Sequence, residues 1–312
     1  MKHLTDITAL QDDEIRQLLA EALRYQRAIE ARDDLKAPLA GMIQFNLFYE
    51  NSTRTSLSFE VAGKRLGAHV MAVPVAASSV HKGETLRDTV LTLSAQGADL
   101  LVLRASEAGT IDASRTALAD AGLQTAIING GEGAFGHPTQ ALLDAATLLR
   151  AFRRDADEGL ERLKIAIVGD LVHSRVASSC TPLFASLGAE VRLCGPRHLL
   201  PHRAPQGAAF ITSSRDEALD GADVVMALRI QKERFDEDTS IDMDTYRRDY
   251  GITMEALTFA QPGAFVMHPG PMNRGIEIDS DVADDRSRSL ILDQVAMGVP
   301  ARMAVLRYAA GR

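Results

Sequence analysis

Short apolar runs alternate with helix-length stretches along this chain, in two separate series. In the first, residues 42–49 (MIQFNLFY), 69–74, 99–104 (DLLVLR) and 125–128 read as strands. Helical stretches lie between them, from a polar turn at Glu50 to Thr53 through Leu66, where Gly67 closes it, and near 84–96 and 112–121. An amphipathic helix at 12–30 precedes the series. It sets Ile15, Leu18, Leu19, Ala22 and Leu23 on one face and carries acidic residues in its first turn. Such alternation predicts an α/β fold, a parallel sheet with helices on both faces.

The segment 138–151 (PTQALLDAATLLRA) reads as a helix with an apolar stripe at Leu142, Leu143, Ala146 and Leu149. A charged stretch at 153–162 follows and marks a domain junction. The second series then begins with KIAIVGD at 164–170, a helix from about 174, AEVRLCG at 189–195 and ADVVMAL at 222–228. A last helix, about 291–309, carries Val295, Met297, Val299, Met303 and Leu306 and is long enough to pack back on the first domain. The expected architecture is therefore two domains, each a parallel sheet flanked by helices. The first spans 1–150 and is joined by the C-terminal helix at 291–312; the second spans 151–290. The length of 312 residues suits two domains of ordinary size.

A net charge of −8 argues against general nucleic-acid binding, which uses a basic face. Cys180 and Cys194 form no CxxC pair and no metal-ligand spacing, and read as small buried hydrophobes. No apolar run has signal-peptide or membrane-span length, so the expectation is a cytoplasmic protein without nucleic-acid or membrane partners.

Four segments and three arginines carry candidate chemistry. Glu50-Asn51-Ser52-Thr53-Arg54-Thr55-Ser56 follows a strand and opens a helix. Unbonded N–H groups there, hydroxyls and one forked cation would make an anion cradle. By itself the segment is equally an ordinary Ser/Thr cap. It lacks the GxxxxGK[ST] pattern of a nucleotide loop. Ser78-Ser79-Val80-His81-Lys82-Gly83-Glu84-Thr85 is a polar, Gly-bearing loop before a helix. Gly136-His137-Pro138-Thr139-Gln140 sets a histidine just before a helix with proline near its start. Arg104, Arg175 and Arg229 each follow an apolar strand, where ligand sites of open α/β sheets form. Each of these also reads, taken alone, as a loop, a structural histidine or a surface arginine. His268-Pro269-Gly270-Pro271 follows the strand AFVMH.

Taken in order, Ser-Thr-Arg-Thr, Lys-Gly-Glu-Thr, His-Pro-Thr-Gln and the two later arginine segments resemble the aspartate/ornithine transcarbamoylase family from about residue 3 to 310. Position 56 carries Ser where that family's signature often continues with a second Arg. The resemblance implies that Ser52, Thr53, Arg54 and Thr55 hold the phosphate of carbamoyl phosphate, with Arg104 also touching it, and that Thr55, Arg104 and His137 reach the carbonyl oxygen. It implies that Gln140 and the backbone carbonyls at Pro269 and Gly270 accept from the carbamoyl NH₂. Arg175, Arg229, Gln231 and Lys82 would bind aspartate, and Ser78 and Lys82 would do so from a neighbouring subunit, whose loop enters the site.

The implied reaction is carbamoyl transfer from carbamoyl phosphate to the amino group of L-aspartate, a step of pyrimidine biosynthesis. The site would lie between the domains, with no cofactor and no metal. The implied partner is a homotrimer of catalytic chains, with a larger assembly containing regulatory or dihydroorotase-like chains left open. Ornithine as acceptor is disfavoured, because that branch carries His-Cys-Leu-Pro where this chain has His268-Pro269-Gly270-Pro271. A non-catalytic family member would be expected to lose some of Arg54, Lys82, Arg104 and His137, and all four are present. A dinucleotide-binding dehydrogenase fails on the missing G-x-G-x-x-G after KIAIVGD.

Overall fold

The computed structural model describes residues 1–73, 83–230 and 242–312. The chain divides into two compact units. One comprises Met1–Ala146, Asp155–Asp157 and Val295–Arg312, the other Thr147–Arg154 and Glu158–Gln294.

The first unit opens with α1 (Asp12–Ala31) and continues through β1 (Ile43–Phe48), α2 (Thr53–Arg65), β2 (His69–Val73), α3 (Leu86–Ala95), β3 (Leu100–Ala105), α4 (Thr110–Asp120), β4 (Ala126–Glu132) and the start of α5 (Pro138–Ala151). All strand pairs are parallel, in the order β2-β1-β3-β4. Side chains alternate across a strand. Phe45, Leu47, Leu101 and Leu103 therefore share one face, where they pack with Val90 and Leu93 of α3 and Ile111 and Leu118 of α4. Leu100 and Val102 point the other way and are also fully buried, which is why LLVL is apolar without interruption.

On that other face β1 carries two buried amides, Gln44 and Asn46. Gln44 Nε2 donates to Asn46 Oδ1 (2.8 Å) and to the Phe59 carbonyl of α2 (3.1 Å). The helix comes this close because residue 63 is glycine. A Cβ there would overlap Gln44 Oε1 and sit 2.7 Å from Val70 Cγ2. Alanine gains about 1 kcal/mol over glycine in a helix interior. Overpacking costs about 1–3 kcal/mol and here strikes a hydrogen-bonded buried amide. Gly63→Ala is therefore expected to lower stability by up to about 2 kcal/mol on those two figures. Denaturant unfolding measures it, and a stabilised variant would show that α2 moves off the sheet freely.

The second unit runs β5 (Lys164–Val168), α6 (Arg175–Ser186), β6 (Glu190–Cys194), β7 (Ala208–Thr212), α7 (Arg215–Leu219), β8 (Val224–Ala227), α8 (Met243–Tyr250), β9 (Phe265–Met267) and α9 (Ser280–Ala283). Its five strands are again parallel, in the order β7-β6-β5-β8-β9. Ala166, Val168, Val225 and Ala227 pack in one cluster with Leu219, Ile252, Leu257 and Val282. Val224 and Met226 point to the opposite face and are fully buried there.

The last helix, α10 (Ile291–Ala309), begins in the second unit's core, where Ile291 packs, and joins the first unit from Val295. There Arg307 Nη1 pairs with Glu21 of α1 (2.8 Å), Tyr308 donates to Glu14 (2.8 Å), and the Arg302 guanidinium lies over the Phe59 ring at 5.2 Å. The sequence reading put the whole of 291–312 with the first domain; the first turn instead completes the second unit's core. That reading also missed β7, α7 and α8.

Candidate active site

Each sheet has one place where the chain reverses its direction of strand addition. In the first unit β2 is added on one side of β1, and β3 and β4 on the other. In the second unit β6 and β7 lie on one side of β5, and β8 and β9 on the other. Loops leaving adjacent strands there diverge to opposite faces and leave a crevice at the strands' carboxyl ends. The candidate residues follow those strands: 50–55 after β1, Arg104 on β3, Arg175 after β5 and Arg229 after β8.

At the first of these points α2 presents its amino terminus. The first intrahelical bond runs from Ser56 N to the Ser52 carbonyl (3.0 Å). The N–H groups of Thr53, Arg54 and Thr55 therefore have no acceptor within the helix. Ser52 occupies the N-cap position, yet its side chain makes no capping bond. Among the described residues the helix end thus carries no side-chain cap, and the positive end of its dipole suits an anion. Arg54 is exposed and has no partner among the described residues. Thr55 is buried, and its hydroxyl lies 3.5 Å from His137 Nε2, 82 positions along the chain.

His137 reaches that point from the end of β4, just before Pro138 opens α5; the Gln140 and Ala141 amides donate to its carbonyl. Arg104 is clamped from two sides, donating through Nη1 to the Gly130 carbonyl (3.2 Å) and pairing with Glu50 at 3.2 Å. One turn into α5, Gln140 Nε2 donates to Asp144 Oδ1 at 3.0 Å. Asp144 is fully buried and escaped the sequence reading, although a Gln–Asp pair four residues apart on a helix was there to find. Glu50 was read only as part of a turn, and its tie to Arg104 depends on the register of β1 against β3.

In the second unit Arg175 is the first residue of α6, buried behind an N-cap in which Ser174 Oγ accepts from Ala177 N (3.1 Å). The preceding loop is fixed by Asp170, fully buried, which accepts from the His173 amide (3.1 Å) and pairs with its Nδ1 (2.9 Å). Gly169 adopts φ +142°, and a Cβ there would press on the Leu228 carbonyl at 2.8 Å. That close approach draws together the loops bearing Arg175 and Arg229. A helix amino terminus and two guanidinium groups suit a ligand with two carboxylates.

The turn after β9 is held by His268, nearly fully buried. Its Nδ1 accepts from Gly270 N (2.8 Å), so Nε2 carries the proton and faces Glu277 Oε1 at 3.3 Å. Glu277 also accepts from Asn273 N. Both ring nitrogens of His268 are therefore used in shaping the turn that carries Pro269 and Gly270.

Ser78 and Lys82 (with Ser79) and Gln231 lie outside the described residues. Both cysteines are free and buried. Burial pushes the Cys194 thiol up to about 12, which leaves no nucleophilic thiolate at neutral pH. Among the described residues no group of His, Cys, Asp and Glu forms a metal site, and no helix is long and apolar enough to cross a membrane.

Comparison with known proteins covers both units. The family model for the carbamoyl-P binding domain of aspartate/ornithine carbamoyltransferase matches residues 2–150, and that for the Asp/Orn binding domain matches residues 161–309. The aspartate carbamoyltransferase catalytic subunit of Dinoroseobacter shibae is 47% identical over 305 residues, 98% of this chain and 93% of the relative. Among solved structures, aspartate transcarbamoylase from Trypanosoma cruzi in complex with carbamoyl phosphate superposes with a TM-score of 0.86 at 32% identity, covering 98% of this chain and 94% of the other. Ornithine carbamoyltransferase from Pyrococcus furiosus gives a TM-score of 0.84 at 25% identity, covering 99% and 97%. With both units matched across nearly their whole length, the chain belongs to the aspartate/ornithine carbamoyltransferase family.

Proposed function

We propose that this chain transfers the carbamoyl group of carbamoyl phosphate to the amino group of L-aspartate, giving N-carbamoyl-L-aspartate and phosphate, as a step of pyrimidine biosynthesis. The first unit takes carbamoyl phosphate. Ser52, Thr53, Arg54 and Thr55 hold its phosphate; Thr55, Arg104 and His137 meet the carbonyl oxygen; Gln140 and the carbonyls at Pro269 and Gly270 accept from the NH₂. The second unit takes aspartate, with Arg175 on the α-carboxylate and Arg229, aided by Gln231, on the side chain. The supporting observation is the approach of Thr55 to His137, which joins the helix terminus of one motif to the imidazole of another.

The chemistry follows from these positions. The neutral amine attacks the carbamoyl carbon, a tetrahedral intermediate forms, and its C–O bond breaks as phosphate leaves with the amine proton, its charge held by Arg54 and the α2 amides. His137 polarises an oxygen that gains charge, so it acts as an electrophilic stabiliser. Holding both substrates in line is worth about 7–11 kcal/mol. Charge stabilisation at the oxygen and at the leaving group supplies a further few kcal/mol, about 3–4 for a single donor.

Aspartate is preferred to ornithine on charge. Arg229 would attract a second carboxylate and repel ornithine's side-chain ammonium. The relatives named as aspartate carbamoyltransferases are also more similar to this chain than the ornithine enzyme is. We assign Ser78 and Lys82 to a neighbouring chain's site within a homotrimer, and the enzyme to the cytoplasm, where two free buried cysteines fit a reducing environment. Incubation with carbamoyl phosphate and either L-aspartate or L-ornithine, read by mass spectrometry, tests the acceptor. Carbamoyl aspartate alone is expected. Citrulline would replace the acceptor assignment, and no product with either amine would end the enzymatic one.

A further inference from the structure

Gln140 ends in an amide whose two faces differ only in chemistry: one oxygen accepts, one NH₂ donates. Which end meets a ligand is decided by what holds the other end. Here that partner is Asp144, fully buried one turn along α5, with Oδ1 3.0 Å from Gln140 Nε2. A carboxylate only accepts, so the NH₂ is committed to Asp144 and the oxygen is the end left for a ligand. Near this carboxylate lies a second buried charged group. Arg302, on α10, is 3% exposed, stacks over Phe59 and donates to the Gly298 carbonyl at 3.1 Å. Burial pulls the Arg302 pKa down to about 9 while the Asp144 charge holds it up, so the guanidinium remains a cation at neutral pH. Gly298 leaves room for it, since a Cβ there would lie 2.8 Å from Arg302 Nη1.

We propose that Asp144 is a positioning residue for donor specificity: by binding the Gln140 NH₂ it makes Gln140 present an acceptor, and so selects an acyl phosphate bearing NH₂ over one bearing methyl. This rests on the reading that Gln140 contacts the carbamoyl NH₂. Turned the other way, the amide would set its NH₂ against the substrate's, two donors with nothing to accept. Against acetyl phosphate, which carries a methyl group there, the orientation of Gln140 has little consequence. Asp144 therefore controls a ratio of affinities, which a purely structural residue would not.

The test uses the full chain and two numbers per variant: kcat/KM for carbamoyl phosphate and the competitive Ki of acetyl phosphate. Asp144→Leu with Arg302→Met removes both buried charged groups at once, so that neither is left buried without the other's field. Its preference for carbamoyl phosphate is expected to fall roughly 10- to 100-fold, the range for a buried donor left unpaired, with the acetyl phosphate Ki little changed. Asp144→Asn should fall between this variant and wild type, because asparagine accepts through only one end of its own amide. If the double variant does not fold, the single one decides the matter. A wild-type ratio in the variants, with Gln140→Ala abolishing the preference, overturns the role of Asp144 alone. A wild-type ratio in Gln140→Ala overturns the underlying contact and the proposal with it.

Discussion

Arg54→Ala is expected to leave the fold intact and lower kcat by about 10²–10³ or more, the cost of removing one preorganised group that holds developing charge. The two halves of that expectation have separate grounds. Arg54 is exposed and has no partner among the described residues, so truncation removes no native contact. Surface substitutions of that kind stay within about 0.5 kcal/mol. Its guanidinium stands in the first turn of α2, beside amides that have no helical acceptor, and in the proposed reaction it would face the charge that grows on phosphate as the C–O bond breaks. Thermal unfolding should superpose on wild type while kcat and kcat/KM fall together. A kcat within about tenfold of wild type, with only a higher requirement for carbamoyl phosphate, would mark uniform binding instead and remove Arg54 from the chemistry.

The central strands were legible because they are covered on both faces. DLLVLR and KIAIVGD lack alternation, and in the structure Leu100–Leu103 and Ile165–Val168 are buried throughout. The strand β7 was not legible for the opposite reason. It is an edge strand with no fully buried residue, and its sequence, AAFIT, begins on two alanines. The five-residue α7 offers too little length for a period to show, and α8 buries only Tyr246. The boundary of the first unit within α10 was hidden because one unbroken helix serves two cores.

The candidate site divides in the same way. Segments whose meaning is local, such as a hydroxyl-rich helix start or a histidine before Pro138, could be read directly. Residues that act by holding others could not. Glu50 matters through Arg104, Asp170 through the loop before Arg175, and Glu277 through His268; each partnership is made by strand register or a returning loop. Strand order, which only the structure gives, groups part of the site: residues 50–55, Arg104, Arg175 and Arg229 follow the strands on either side of each unit's single reversal, whereas His137 follows β4 and Pro269 follows β9.

The acceptor half of the site carries the second large effect. Arg175→Ala is expected to cost about 2–5 kcal/mol in kcat/KM for aspartate, roughly 30- to 5,000-fold, because a carboxylate bound in a desolvated pocket would lose its charged partner. Burial favours the upper part of that range, since Arg175 is only 8% exposed at the amino terminus of α6. The Ser174 cap and the Asp170–His173 pair do not depend on the Arg175 side chain, so the loop should persist after truncation. The proposed function gives carbamoyl phosphate to other residues, so its binding, measured without aspartate, should stay near the wild-type value. Arg229→Ala should act in the same direction more weakly, because that side chain is only partly buried. The two variants also differ in what they forgive. A ligand without a side-chain carboxylate has nothing to lose from Arg229→Ala, whereas every α-amino acid acceptor loses from Arg175→Ala. Succinate, with two carboxylates and no amine, should compete with aspartate in wild type and fail in both variants. Unaltered competition by succinate, or an equal loss of carbamoyl phosphate binding, would take the two arginines out of the acceptor pocket and reopen the identity of the amine.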